Sequence, residues 1–147
     1  MRKTILFFAI ATKYAGLTIP SLAQWHPTGG LLDVTLTNRC SMTGGEVASA
    51  RPDGIFYCPS RAAAVDAQVA DASHFYFVQA YGSLAIHTTS KKLADCWAAH
   101  ALAMTPNGPH YVKQWIKHWR IYGNPDLIYG EREERISNVR RCCACGA

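Results

Sequence analysis

No segment of this 147-residue chain strings together the roughly 18 uninterrupted apolar residues that a transmembrane helix needs, so such a helix is excluded. Internal repeats and low-complexity tracts are also lacking, which sets aside solenoid and linker architectures. Acid is missing from residues 1–23, which hold Arg2, Lys3 and Lys13. The formal charge of +5 therefore owes much to that segment: residues 24–147 carry twelve Lys/Arg against ten Asp/Glu, a net charge of +2. A balance that even gives no reason to expect nucleic acid as a partner.

What residues 1–23 do contain is the pattern of a secretory signal peptide. Arg2 and Lys3 give a positive start, Ile5 to Thr12 form a short apolar stretch, and Ser21-Leu22-Ala23 supplies the small residues that precede cleavage. Lys13 places a charge inside the apolar region, which weakens the signal. Cleavage is expected before Gln24, leaving residues 24–147 as one domain, periplasmic or secreted, with nothing to hold it in a membrane. All six cysteines lie in that part, and an even count in an exported chain reads as a disulfide framework.

Residues 24–32 form an irregular lead-in broken by Pro27 and Gly29-Gly30. Alternation in DVTLTNRC predicts a short strand ending at Cys40, and GIFYC over 54–58 predicts a second, entered through the Pro52-Asp53-Gly54 turn. Two adjacent strands that each end in cysteine make Cys40–Cys58 the expected first bridge. Helical patterning follows: a short Ala/Val-rich helix over 60–70, then a nearly apolar one over 74–87 with Ser73 as its N-cap. A third runs over 91–104 behind Ser90, a fourth over 109–122 with Pro109 in its first turn, and a last over 131–141. The fourth shows Val112, Trp115, Ile116 and Trp119 on its apolar face and Lys113, Lys117 and Arg120 on a basic stripe, expected to be solvated. One cysteine of the Cys142-Cys143 pair is expected to bond Cys96. The remainder, with Cys145, can pair together, pair with another chain, or stay reduced.

Only a few residues separate the second and third helices, so they form an antiparallel hairpin. Gln79, Ser83 and His87 recur every four residues on one stripe and should face Lys91, Asp95 and His100. His74, His110 and His118 show no ligand-like spacing and are expected at the surface.

The stretch HFYFVQAYGSLAIHTTSKKLADCWAAHAL resembles the core of gluzincin-type zinc metallopeptidases of exported bacterial proteins. Those carry an H-E-x-x-H helix followed by a helix reading E-x-x-A-D, often continuing as A-D-C-W-A. Ala94-Asp95-Cys96-Trp97-Ala98 matches the latter, and Tyr81-Gly82 fits the middle of an H-E-Y-G-H variant. NPDLIYGEREERISNVRRC resembles the family's tail, in which an Arg-bearing helix leads to a final cysteine. The resemblance covers roughly residues 54–143 and implies an α+β, mainly helical, minimal zincin-like domain with a small strand pair and about four helices.

In such a site two histidines one helical turn apart bind zinc, the intervening Glu is the general base, and a Glu on the next helix completes the ligands. The Asp four residues beyond that Glu supports a ligand from outside. Here Gln79 and Ser83 stand at the histidine positions, Ala80 at the base and Lys91 at the third ligand, while Asp95 is kept and, with no ligand to orient, is expected to pair with Lys91 or hydrogen-bond Ser83. The resemblance thus implies the frame without the chemistry: no catalytic residue, no cofactor, and a binding or regulatory role with a protein as the possible partner. The alternative is an active metal-dependent hydrolase whose zinc sits on relocated ligands His87, Asp95 and His100.

Overall fold

A computed structural model describes residues 34–124 and 130–143. The expected signal peptide, the lead-in over 24–32 and Cys145 lie outside those residues. The described chain is α+β and mainly helical, a three-stranded sheet against five helices, braced by disulfides.

Strand β1 (Leu36–Asn38) pairs in parallel with β3 (Gly54–Tyr57), and β2 (Ala48–Arg51) pairs with β3 antiparallel, giving the order β1-β3-β2. The hairpin closes through Pro52-Asp53, where a proline pre-sets the turn, and Arg51 lies opposite Gly54. Strand β2 was not expected: Ala-Ser-Ala-Arg has no β-branched or aromatic residue to signal it, and its pairing with β3 makes it a strand. Because Asn38 lies opposite Tyr57 in a parallel register, both chains leave the sheet side by side. Cys40 and Cys58 follow directly and form the expected bridge, Cα atoms 4.3 Å apart.

Five helices follow: α1 (Pro59–Gln68), α2 (Ser73–Ala85), α3 (Lys91–Ala103), α4 (Gly108–Tyr122) and α5 (Arg132–Cys143). Ser90 caps α3 as expected, its hydroxyl accepting from the Leu93 amide. Ser73 does not cap α2. It is the helix's first residue, and the cap is remote: Asp66 at the end of α1 accepts from the Ser73 amide at 2.8 Å and the Ser73 hydroxyl at 2.7 Å. A carboxylate at a helix N-terminus satisfies an orphan amide and complements the dipole.

The main core joins α2, α3, α4 and α5 through Phe75, Leu102, Val112, Trp115, Ile136 and Val139, all essentially without solvent contact. A smaller cluster of Ala48, Ile55 and Ala80 seats α2 on the sheet. The α2–α3 contact is close because residue 82 is glycine. A Cβ there would stand 2.7 Å from the Trp97 ring and 3.3 Å from the Ala94 carbonyl oxygen. The expected bridge from Cys96 goes to Cys142 and ties α3 to α5. Cys143 is also disulfide-bonded.

Candidate functional site

The four positions of the substituted motif lie where α2 and α3 meet the sheet and α5. Asp95 occupies the centre and is 0% exposed. A carboxylate so placed has lost its hydration and needs charged and hydrogen-bonding partners to stay ionised. It has three contacts. Arg135 on α5 donates through Nε to Oδ2 at 2.5 Å and through Nη2 to Oδ1 at 2.9 Å, and Gln79 on α2 donates through Nε2 to Oδ1 at 2.5 Å. Burial pushes the Asp95 carboxyl above its ordinary value, while Arg135 and Gln79 pull it back down.

Arg135 is itself 5% exposed. Its guanidinium carbon lies 4.3 Å from the centre of the Trp119 ring and 5.2 Å from that of Trp115, so α4 supplies an aromatic floor to the ion pair. The two indoles are stacked nearly parallel, 5.8 Å apart. Three helices and two aromatic rings therefore converge on one buried carboxylate. Tyr76, one turn before Gln79, feels the same surroundings: burial above all, with the nearby Asp95 and Glu46 charges, pushes its phenol up to about 12 against the opposing pull of Arg135.

This arrangement corrects the expectation that Asp95 pairs with Lys91 or Ser83. Lys91 sits at the half-exposed rim and extends to Glu46, in the turn before β2, with Nζ to Oε2 at 2.7 Å. The Ser83 hydroxyl donates back to the Gln79 carbonyl of its own helix at 3.3 Å. Ala80 is buried against Ile55 and Ala48. Arg135 was missed because hairpin reasoning considers two helices, and the partner comes from a third. Its sequence signal was slight: Arg135 lies in phase with Ile136 and Val139 on the buried face of α5, but Arg132 and Arg140 of the same helix also stand four residues from Ile136.

The relocated set is not brought together. His87, two residues beyond the end of α2, is left-handed (φ 50°) and exposed, and His100 is exposed on α3. Asp95 gives both oxygens to Arg135 and Gln79. Among the described residues no group of three His, Cys, Asp or Glu side chains is placed to hold a metal ion. Nor do Gln79, Ser83 and Lys91 fit zinc. An amide and a hydroxyl are poor ligands beside imidazole, and an ammonium opposes a divalent cation.

His118 is buried, not at the surface as expected. It bridges α2 and α1: its Nε2 lies 2.9 Å from the Gln68 Oε1, and the Tyr76 hydroxyl is 3.4 Å from Nδ1. Gln68 Oε1 can only accept, so Nε2 carries the hydrogen and Nδ1 accepts from Tyr76. His74 stacks on Tyr111 at 4.0 Å, and burial lowers the pKa of both His74 and His118. His110 is exposed as expected and sits 2.9 Å from Asp71.

Comparison of the chain with protein-family models, with curated proteins and with solved structures gives no match.

Proposed function

We propose that this protein is an exported, catalytically inactive counterpart of zinc metallopeptidases, in the periplasm or outside the cell, which acts by binding and not by hydrolysis. The observation that carries this reading is the bond from Gln79 to Asp95. In the family that this sequence resembles, position 79 belongs to a zinc-binding histidine and position 95 to the carboxylate behind the ligands. Here an amide N–H meets the same carboxylate, so the supporting bond persists while the ligand is gone. Two further contacts support the reading. Lys91 spends its charge on Glu46, and Ala80, at the position of the general base, has no group that could activate water. Export is supported by the two bridges Cys40–Cys58 and Cys96–Cys142, which persist in oxidising compartments. No described helix is long and apolar enough to cross a membrane.

The test restores the chemistry. A variant combining Gln79→His, Ala80→Glu, Ser83→His and Lys91→Glu should take up about one zinc per chain, the stoichiometry of a three-ligand site with one open position. The natural protein, offered zinc at neutral pH, should take up none by elemental mass spectrometry. A variant with unchanged far-UV circular dichroism that still ignores zinc refutes the frame. Tightly held zinc in the natural protein, lost on His100→Ala, would instead establish the relocated site.

A further inference from the structure

Helix α4 presents two unlike faces. Val112, Trp115, Ile116 and Trp119 lock the inner one into the core and fix the helix rigidly. On the outer face Lys113, Lys117 and Arg120 are exposed at spacings of four and three, so their charges share one stripe along about 10 Å of helix. None of the three forms an ion pair among the described residues, and Gly108–Tyr122 contains no acid at all. The negative end of the helix dipole does not offset them. Arg132 covers it, donating to the Gly123 carbonyl at 3.0 and 2.6 Å and to the Arg120 carbonyl at 3.1 Å, and adds a fourth positive charge there. Beside the stripe Ile121 is 54% exposed. Among the described residues, Asp71 is paired with His110 at the start of α4, and Glu134 in the first turn of α5 lies 3.7 Å from Lys92.

We infer that this face is a peripheral docking surface for an anionic phospholipid bilayer. The contact is lateral, without insertion of a helix across the membrane, and does not depend on the pseudoenzyme reading. The three cations lie on the exposed face of a helix whose opposite face is buried in the core, so they are presented together toward solvent. A plane of headgroup phosphates meets all three charges at once, with Ile121 at the interfacial edge. Each Lys or Arg at an anionic surface contributes roughly fivefold to partitioning at low ionic strength, so three give on the order of a hundredfold.

The experiment is co-sedimentation of the purified protein with vesicles of phosphatidylcholine, alone and mixed with phosphatidylglycerol. The natural protein is compared with the triple variant Lys113→Gln, Lys117→Gln, Arg120→Gln. These side chains are exposed, so the variant should keep its circular dichroism and melting temperature, and any contribution from the amino-terminal segment is common to both proteins. The expected result is a strong preference of the natural protein for phosphatidylglycerol, abolished by salt and lost on the order of a hundredfold in the variant. Equal partitioning to both vesicle types, or a preference the variant retains, overturns the proposal. So does indifference to vesicles combined with stripe-dependent retention on immobilised polyglutamate, which would make the face one for acidic protein.

Discussion

Gln79 on α2 and Asp95 on α3 are joined by a 2.5 Å hydrogen bond across the helix hairpin, on the same carboxylate that Arg135 grips from α5. The amide thus adds α2 to the buried ion pair of α3 and α5. The polar centre is a joint between three helices, and its members should be strongly coupled.

That coupling sets the first prediction. Arg135→Met leaves Asp95 ionised or protonated in an apolar enclosure without its main partner, and should cost about 3–5 kcal/mol. Asp95→Leu should cost a similar amount by stranding the guanidinium between Trp119 and the core. The double variant should be more stable than the sum of the two losses implies, because a buried pair replaced by apolar groups of similar volume is often neutral. Urea unfolding of the four proteins measures this. Additive losses would mean that the two residues do not act as a pair.

Histidine burial makes stability pH-dependent on the acid side. Burial holds the folded-state pKa values of both His74 and His118 below the ordinary histidine value of 6.5. The unfolded chain therefore binds more protons in the window below 6.5, and stability, full above it, should fall as pH drops through the folded-state values. The loss should level off once both states are protonated. Thermal melts against pH should show this fall, and His74→Gln with His118→Gln should flatten it. Tyr76 works on the opposite flank: with its phenol raised from 10.0 to about 12, stability should be full below pH 10 and decline as pH rises toward 12.

The sequence exposed the local elements and concealed the long-range partners, for physical reasons. Helices α3 and α4 were legible because each carries its own boundary chemistry, Ser90 before one and Pro109 inside the other. The bridge Cys40–Cys58 was legible from two adjacent strands that each run into a cysteine, and a bridge from Cys96 to the Cys142-Cys143 pair was legible from the last helix, but the choice of Cys142 over its neighbour was not. Strand β2 was not, because its four residues are strand only through pairing. Burial of His118 was hidden for a related reason: its partners Gln68 and Tyr76 are 50 and 42 residues away in the chain. The substituted motif was readable position by position, yet the partner of Asp95 was not, since an arginine 40 residues downstream is one of several in its segment.

The two disulfides between described residues should differ in what they contribute. Cys96–Cys142 closes a span of 46 residues and Cys40–Cys58 one of 18. In the chain-entropy description the longer loop is worth about 1 kcal/mol more, out of roughly 3–4 kcal/mol each. Serine pairs at each bridge, compared by urea unfolding, should show the larger loss at Cys96 and Cys142. That loss should also include detachment of Arg135 from Asp95, visible as a change in the emission of Trp115 and Trp119.

The closest test of the hairpin itself is Gly82→Ala. Its added methyl meets the Trp97 ring at 2.7 Å and the Ala94 backbone oxygen at 3.3 Å, on the face where α2 and α3 approach. Elsewhere in a helix, replacing glycine with alanine stabilises by about 1 kcal/mol. Here overpacking should reverse the sign, giving a net loss of about 1–3 kcal/mol. Trp97, stacked at a tilt on Tyr81 with ring centres 5.5 Å apart, can only yield by leaving that contact. The double variant Gly82→Ala, Trp97→Leu should therefore recover much of the loss relative to Trp97→Leu alone, because the smaller side chain vacates the space the methyl needs. A Gly82→Ala protein more stable than the natural one would mean that the helices are not held at the separation seen here.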